Sequence, residues 1–316
     1  MRRPTPVGIP RRRVLMGMGI AVAGMATGAC GEPAERADVN VFPTATEFVV
    51  GPNRFPFTVV TNDGVGIEQA AVEVRFSWLD GPATHFKFSR PATFYETRNT
   101  TPHIHADGSV HMHLDRRGYY AVAAADFDTP GIWSAELTVD PPDTDAFRAG
   151  AAFNVVAQPS ALGVGVSAPP IDHPTLVDVA DVEQLSSAVE PVPDMYAVTV
   201  AEALREGRPL VVQFSTPRFC VAHMCGPVYE ELASLHATYG DRMRFIHLEP
   251  FDLGIARAEG RLVPTSAFQA WSLQTEPWTF VIDRAGVVSA RFEGMVGASE
   301  LEAALQRVVG SAGTES

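Results

Sequence analysis

The first half of the chain shows a two-residue alternation of apolar and polar side chains. Between residues 47 and 157, apolar positions recur at every second residue, as in Val72, Val74, Phe76 and Trp78. Turn signals rich in Asp, Asn, Gly and Pro separate these stretches. Period-two alternation is typical of strands with one buried face. The spacing predicts about seven short strands, and we expect an all-β sandwich of immunoglobulin type.

From residue 195 the pattern changes to alternating helices and strands. Thr199 and Glu202 form the signature of a helix N-terminus, and residues 210–214 are apolar enough for a strand buried on both faces. Apolar positions between 228 and 239 recur with helical spacing, and residues 278–292 are typical of a hairpin. This order predicts an α/β domain, with a mixed sheet and helices on its faces.

These patterns divide the chain into five segments. Residues 158–194 contain six prolines, which predicts an ordered but irregular linker. We expect a signal segment at residues 1–30 and a tether at 31–46. The sandwich domain then covers residues 47–157, and the α/β domain covers residues 195–312.

The predicted signal segment combines arginines, an apolar run and a cysteine. Arg11 and Arg12 begin a stretch that resembles the twin-arginine export motif, and the apolar run is short for a membrane span. Small residues before Cys30 resemble a bacterial lipobox, although Thr27 stands where leucine is usual. We expect export and lipidation of Cys30, which would hold the protein on the outer face of the cytoplasmic membrane, in the periplasm or at the cell surface. The alternative is a plain signal peptide cut near Ala29.

Charge and cysteine content narrow the function classes. The formal net charge of −13 argues against a nucleic-acid partner, because phosphate binding needs a basic surface. The chain has three cysteines, and if Cys30 is lipidated, Cys220 and Cys225 remain as a closely spaced pair. In an exported chain, such a pair is more typical of redox or metal chemistry than of a structural disulfide. A static disulfide without turnover is the alternative.

The residues around this pair carry a family resemblance. Residues 209–228 resemble the strand, cysteine motif and helix of thioredoxin-like proteins, and residues 276–280 resemble the cis-proline segment that enters the hairpin of that fold. The resemblance covers residues 195–312 and implies a thioredoxin-like domain in which Pro277 is cis and lies against the cysteines. Its relatives include exported thiol–disulfide reductases and copper-delivery proteins of cytochrome-oxidase assembly.

Four residues separate the cysteines, whereas the thioredoxin-like motif usually has two. A helix N-terminus favours the nucleophilic thiolate, and a second cysteine resolves the mixed disulfide. Cα atoms five residues apart on a regular helix lie about 8–9 Å apart, too far for a disulfide. Cys220 must therefore lie in the loop, or the first helical turn must be distorted. Counting from the strand makes Cys220 the attacking thiol, and loop exposure favours it, whereas matching Cys225-Gly226-Pro227 to Cys-Gly-Pro-Cys makes Cys225 the attacking thiol.

Histidines and acids near the pair add other chemistry. Soft thiolates suit Cu(I), and either His223 or His247 could complete a copper site with the cysteines. An ordinary loop histidine at position 223 and a satisfied strand histidine at position 247 are the simpler explanations. Glu249 and Glu276 are expected near the active face, where an acid could transfer protons, although solvation at the surface explains each more simply.

Four further histidines flank a turn within the predicted sandwich. His103, His105, His111 and His113 form two His-x-His pairs around an Asp-Gly turn, and residues two apart on a strand share a face. A two-residue turn places the pairs on opposite faces, whereas a three-residue loop gathers all four on one face, as a copper or zinc site requires. The sequence leaves both registers open, and an exposed polar hairpin is the simpler alternative.

Together these features predict an exported, lipid-anchored thioredoxin-like enzyme that performs thiol–disulfide exchange on extracytoplasmic proteins through Cys220 and Cys225. We expect no required cofactor, a membrane redox partner of unknown identity, and no nucleic-acid partner. The alternative is a copper-binding or delivery protein that uses the cysteines with His223 or His247, or the histidine hairpin. A third alternative is an interaction protein whose sandwich binds the partner.

Overall fold

The computed structural model describes residues 34–36, 38–104 and 110–310. Of residues 35, 99–104 and 110–116 it describes the backbone alone. The predicted signal segment with Cys30 lies outside the described residues, as does His105. Among the helices that the structure describes, none is long and apolar enough to cross a bilayer.

The first half of the described chain consists of strands. Nine of them form one sheet: β1 (Ala34–Glu35), β2 (Val39–Pro43), β3 (Phe48–Val49), β4 (Gly51–Thr61), β5 (Ala71–Asp80), β6 (Ala83–Ile104), β7 (Val110–Phe127), β8 (Gly131–Asp140) and β9 (Phe147–Val156). The strand order is β1-β9-β8-β5-β6-β7-β4-β2, with β3 beside β9. β3 lies beside β9 near one end of this order, and β4 lies beside β2 at the other end. Only Val50 separates β3 from β4 in the chain, so the sheet curls back on itself.

Two long strands make this sheet continuous. β6 has 22 residues and β7 has 18. β6 pairs with β5 through residue 92 and with β7 from residue 93, so it passes from one side of the curl to the other. The expected immunoglobulin-type sandwich of two sheets is therefore not confirmed. Period-two alternation shows which face of a strand is buried, but it does not show which strands are neighbours.

An aromatic core fills the inside of the curl. Phe55, Phe76, Phe127 and Trp133 are fully buried, and the ring centroids of Phe55 and Phe153 lie 4.8 Å apart. Most of these rings come from the alternating positions that the sequence pattern marks as buried. Burial of such side chains contributes about 1.5–3 kcal/mol each, so this cluster is a main source of stability for the first half of the protein.

Residues 157–199 are irregular but ordered against the second half of the protein. They contain two short 3-10 helices, Val182–Gln184 and Pro193–Tyr196. Gly165 donates a backbone hydrogen bond to the carbonyl of Val288 at 2.8 Å, and Val288 donates to the carbonyl of Val166 at 2.9 Å. The proline-rich segment therefore adds backbone hydrogen bonds to the edge of the second sheet.

The second half alternates helices with the strands of a four-stranded sheet. Its elements are α1 (Val200–Arg205), β10 (Leu210–Phe214), α2 (Cys225–Tyr239), β11 (Arg244–Leu248), α3 (Leu253–Glu259), α4 (Ser266–Ala270), β12 (Trp278–Ile282), β13 (Val288–Glu293) and α5 (Ala298–Gly310). The strand order is β11-β10-β12-β13. β10 and β11 are parallel, whereas β10 with β12 and β12 with β13 are antiparallel. This is the mixed sheet that the sequence pattern predicts.

Local sequence signals explain where these helices begin and which face they bury. The backbone N–H of Glu202 donates to the Thr199 hydroxyl at 3.1 Å, and the backbone N–H of Thr199 donates to the Glu202 carboxylate at 2.8 Å, which completes the predicted capping box. In α2, the side chains of Val228 and Leu232 are fully buried. They share a core with Tyr119 of β7, so α2 is held between the curled sheet and the four-stranded sheet.

Candidate active site

Cys220 lies in the loop between β10 and α2, and Cys225 is the first residue of α2. The loop begins with a turn in which the N–H groups of Phe219 and Cys220 donate to the Thr216 carbonyl at 3.2 and 3.0 Å. A second turn follows, in which His223 donates its N–H to the Cys220 carbonyl at 3.3 Å. The first turn precedes Cys220, and the second turn takes up the chain between the two cysteines. Cys220 therefore lies in the loop, as one of the two expected geometries requires.

The Cys220 sulfur lies in a ring of hydrogen-bond donors. Both cysteines are free thiols, and Cys220 is 6% exposed whereas Cys225 is 0% exposed. The Cys225 thiol donates to the Cys220 sulfur, and backbone N–H groups of Cys225, Met224 and Ala222 also face it. Hydrogen bonds to a thiolate favour the charged form. The thiol of Cys225 first, and then the backbone donors, lower the pKa of Cys220 to about 6, against the opposing effect of burial.

The environment of Cys225 has the opposite effect. Burial raises the pKa of the Cys225 thiol well above its ordinary value, and its hydrogen bond to Cys220 and the charge of that residue raise it further. A backbone hydrogen bond from Thr216 opposes this shift. At neutral pH the pair therefore holds one thiolate, at Cys220, and one thiol, at Cys225.

A carboxylate completes the group around the sulfurs. The peptide bond between Glu276 and Pro277 is cis, as the resemblance implies for Pro277. A Glu276 carboxylate oxygen and the Sγ atoms of Cys220 and Cys225 all lie within 4.8 Å of one another. Glu276 is half-buried. Burial, and then the charge of Cys220, raise the pKa of the Glu276 carboxyl to about 7.

His223 and His247, the two candidate copper ligands, lie outside the group of side chains that meet at the sulfurs. Among the described residues, the ligand-type side chains that meet at the sulfurs are those of Cys220, Cys225 and Glu276, and neither His223 nor His247 belongs to this group. His223 lies in the second turn of the loop, with a φ of +56°. The copper alternative remains a prediction.

His247 is enclosed at the end of β11. Its Nδ1 lies 2.8 Å from the Tyr196 hydroxyl, and its Nε2 lies 2.9 Å from both the hydroxyl and the carbonyl oxygen of Ser215. Burial lowers the pKa of His247 to about 4. The ring is therefore neutral at physiological pH, with both nitrogens already in hydrogen bonds.

The backbone of the histidine hairpin shows which of the two registers its described part adopts. His103 pairs with His111, and His113 pairs with Thr101. As in the three-residue alternative, the paired histidine positions lie on one face of the hairpin. The strand pairing ends at residues 104 and 110, so the connection is longer than three residues. The side chains of this hairpin lie outside the described residues, so a metal site there remains a prediction.

Glu249, expected near the active face, is buried behind the cysteine loop. The backbone N–H of Ser187 donates to its Oε1 at 2.6 Å, and burial raises its pKa to about 7. It lines a cavity of about 230 Å³ together with His173, Tyr196 and His247. The carboxylate that meets the sulfurs is that of Glu276.

Sequence reasoning missed the role of Thr216. Its carbonyl accepts from the Cys220 N–H, and its backbone faces the Cys225 sulfur, so it contacts both cysteines. The available signal was the Ser-Thr-Pro turn directly after β10, since such residues terminate strands and start turns.

Comparison with known proteins gives neighbours among solved structures. No protein-family model matches the chain, and no curated protein matches it. A thiol:disulfide interchange protein of the thioredoxin family from Chlorobium tepidum TLS is 16% identical, with a TM-score of 0.25, over 44% of this chain and 99% of that one. A thio-disulfide isomerase from Thermus thermophilus is 21% identical, with a TM-score of 0.23, over 38% of this chain and 85% of that one.

The order of elements in the second half of the protein agrees with the resemblance found in the sequence. A buried strand leads into the cysteine loop and α2, and the cis-proline Pro277 leads into the hairpin of β12 and β13. These are the features that the resemblance implies for residues 195–312.

Proposed function

We propose that the protein catalyses thiol–disulfide exchange through Cys220 and Cys225. The observation that carries this proposal is the opposite protonation of two sulfurs that are hydrogen-bonded to each other at the start of α2. A thiolate is the nucleophile in this chemistry, so Cys220 is the attacking residue. Cys225 is the residue that resolves the intermediate.

The reaction has two steps. The Cys220 thiolate attacks one sulfur of a substrate disulfide, and the other substrate sulfur leaves as a thiolate. Cys225 then attacks the Cys220 sulfur, forms the Cys220–Cys225 disulfide and releases the second substrate thiolate. Two electrons pass from the protein dithiol to the substrate, and the reverse sequence oxidises a substrate dithiol.

The substrates in this proposal are extracytoplasmic proteins. Its basis is the predicted export signal and the predicted lipidation of Cys30. A membrane redox partner would return the cysteine pair to its starting state after each turnover. No cofactor takes part, because both steps exchange electrons between sulfur atoms alone.

Trapping the mixed disulfide tests this proposal. We expect Cys225→Ser to accumulate a covalent complex with a disulfide-bonded peptide, because the resolving thiol is absent, and Cys220→Ser to form none. Intact-protein mass spectrometry without reductant measures both outcomes. A covalent complex in Cys220→Ser and none in Cys225→Ser would reverse the order of the cysteines, and wild-type thiols that stay inert to the peptide would exclude the proposed function.

A further inference from the structure

The resolving step needs a base that reaches a buried thiol. Cys225 is 0% exposed, so a base dissolved in the solvent cannot touch its sulfur. Among the residues that the structure describes, the groups that face this sulfur are the Cys220 sulfur, the backbone of Thr216 and the carboxylate of Glu276. In the mixed disulfide the Cys220 sulfur is bonded to the substrate and no longer accepts a proton. The carboxylate is then the remaining acid–base group at Cys225.

Glu276 is placed to connect this thiol with the solvent. Its carboxylate oxygen lies within 4.8 Å of the Cys225 sulfur, a separation that one bridging water molecule spans in general acid–base catalysis. Glu276 is half-buried whereas Cys225 is fully buried. A proton taken up on the inner side of the carboxylate can therefore leave on the outer side.

The segment around Glu276 is held in place on both sides. The Thr275 hydroxyl donates to the Glu293 carboxylate at 2.7 Å and accepts from the indole N–H of Trp278 at 3.2 Å. Pro277 follows directly and leads into β12. A carboxylate on a fixed segment loses little further conformational freedom when it accepts the proton.

We propose that Glu276 is the proton acceptor for Cys225 in the resolving step, an inference that rests on the proposed function. In the mixed disulfide, the proton of the Cys225 thiol moves to the Glu276 carboxylate. The sulfur of Cys225 then forms a bond to the Cys220 sulfur, and the bond from Cys220 to the substrate sulfur breaks. The substrate leaves as a thiolate with the electron pair of that bond, and the proton on Glu276 passes to the solvent.

The pH dependence follows from the groups that face Glu276, which are Cys220 and Cys225. Burial and the Cys220 charge raise the pKa of the Glu276 carboxyl from 4.5 to about 7. Forming the mixed disulfide removes the Cys220 charge but leaves most of the burial. We therefore expect the rate of the resolving step to rise with pH to an inflection between 4.5 and 7 and then to level off.

A single-turnover reaction with the aromatic disulfide dithiobis(nitrobenzoate) separates the two steps. Attack by Cys220 releases one coloured thiolate, and displacement by Cys225 releases the second. We expect Glu276→Gln to slow the second release by about 100-fold at neutral pH, because general-base assistance contributes about that factor. The first release should change by about twofold at most, because the donors around the Cys220 sulfur remain.

Two variants provide the controls. Glu259→Gln makes the same change of charge on an exposed residue that pairs with Arg261, and we expect it to leave both phases unchanged. Cys225→Ser should release a single coloured thiolate, which assigns the second phase to Cys225. In Glu276→Ala, added acetate should restore part of the second phase, an effect that a purely structural role of Glu276 would not produce.

The outcomes distinguish this inference from the proposed function. A folded Glu276→Gln protein whose second phase keeps the wild-type rate overturns the role of Glu276 and leaves the two-step exchange intact. If the variants do not fold, the wild-type protein still provides a test. A second-phase rate that continues to rise with pH up to 9.0, the ordinary pKa of a cysteine thiol, also overturns the role of Glu276. A wild-type protein that releases no coloured thiolate contradicts the proposed function itself.

Discussion

Two residues of the same type, five positions apart, acquire opposite acid–base properties in this protein. Cys220 lies in a loop whose N–H groups point at its sulfur, whereas Cys225 lies at the fully buried start of α2. Hydrogen-bond donors stabilise a thiolate and burial destabilises it. The difference between the two cysteines therefore comes first from the hydrogen bond that the Cys225 thiol donates to Cys220, then from backbone N–H groups directed at Cys220, and from the burial of Cys225.

Alkylation should measure this difference directly. Because the pKa of Cys220 is lowered to about 6, its thiolate predominates above that pH, and its reaction with iodoacetamide should reach half of its maximum rate near it. Cys225→Ala removes the largest cause of the shift, the hydrogen bond from the Cys225 thiol, so the midpoint should rise. Mass spectrometry of the Cys220 peptide at a series of pH values gives both midpoints. An unchanged midpoint in Cys225→Ala would show that the backbone donors alone produce the shift.

At the scale of elements, the end of β13 joins the four-stranded sheet to the start of the curled sheet. The Glu293 carboxylate accepts hydrogen bonds from the Thr46 hydroxyl at 2.7 Å and the Glu47 backbone N–H at 2.8 Å. The same carboxylate also accepts the hydroxyl of Thr275, next to Glu276. One buried acid thus links the cis-proline segment of the candidate site to the chain between β2 and β3.

The residue after Glu293 makes this junction sensitive to substitution. Gly294 has a φ of +73°, and a Cβ there would lie 1.8 Å from the Thr44 carbonyl oxygen. Gly294→Ala should therefore lower the free energy of unfolding by at least about 2 kcal/mol, through both the left-handed backbone and the clash. Thermal and urea unfolding measure the loss. Gly226→Ala in α2 is the matched control, because a Cβ there meets nothing within 4 Å, and equal losses in the two variants would contradict this explanation.

At the scale of the whole molecule, a half-buried polar cluster joins the curled sheet to α5. The Arg54 guanidinium donates to both carboxylate oxygens of Glu300, at 2.6 and 2.7 Å. The Tyr119 hydroxyl donates to Glu300 at 2.6 Å and accepts the Gly297 N–H at 2.8 Å. The described residues from Ala34 to Gly310 belong to one compact unit, and this cluster is one of the contacts that hold it together.

Removing one member of this cluster should cost more than removing the charged pair. Glu300→Ala leaves the half-buried Arg54 guanidinium without its partner, so we expect a loss of about 1.5–3 kcal/mol in the free energy of unfolding. Arg54→Met combined with Glu300→Leu removes both charges and should cost less than Glu300→Ala alone. Urea unfolding of both proteins provides the comparison. A double variant at least as unstable as Glu300→Ala would indicate that the ion pair itself is strongly stabilising.

Local patterns determined the type and order of the elements. Alternation along residues 47–157 and helical spacing after residue 195 depend on which face of each element is buried, and that information lies within each short segment. The capping box at Thr199 is likewise local. The thioredoxin-like motif around Cys220 and Cys225 could be recognised for the same reason, since its strand, loop and helix are contiguous.

Only the tertiary structure decided which distant groups meet. The sequence by itself determined that two cysteines lie between a buried strand and a helix or within the first turn of that helix. It placed both Glu249 and Glu276 near the active face and could not decide which of them lies beside the sulfurs. It also could not direct backbone N–H groups at Cys220 or continue β6 and β7 across one curled sheet. These features depend on contacts between segments far apart in the chain, and a pKa depends on the burial and charge that such contacts create. The difference between Cys220 and Cys225, and with it the proposed chemistry, is therefore a property of the folded protein.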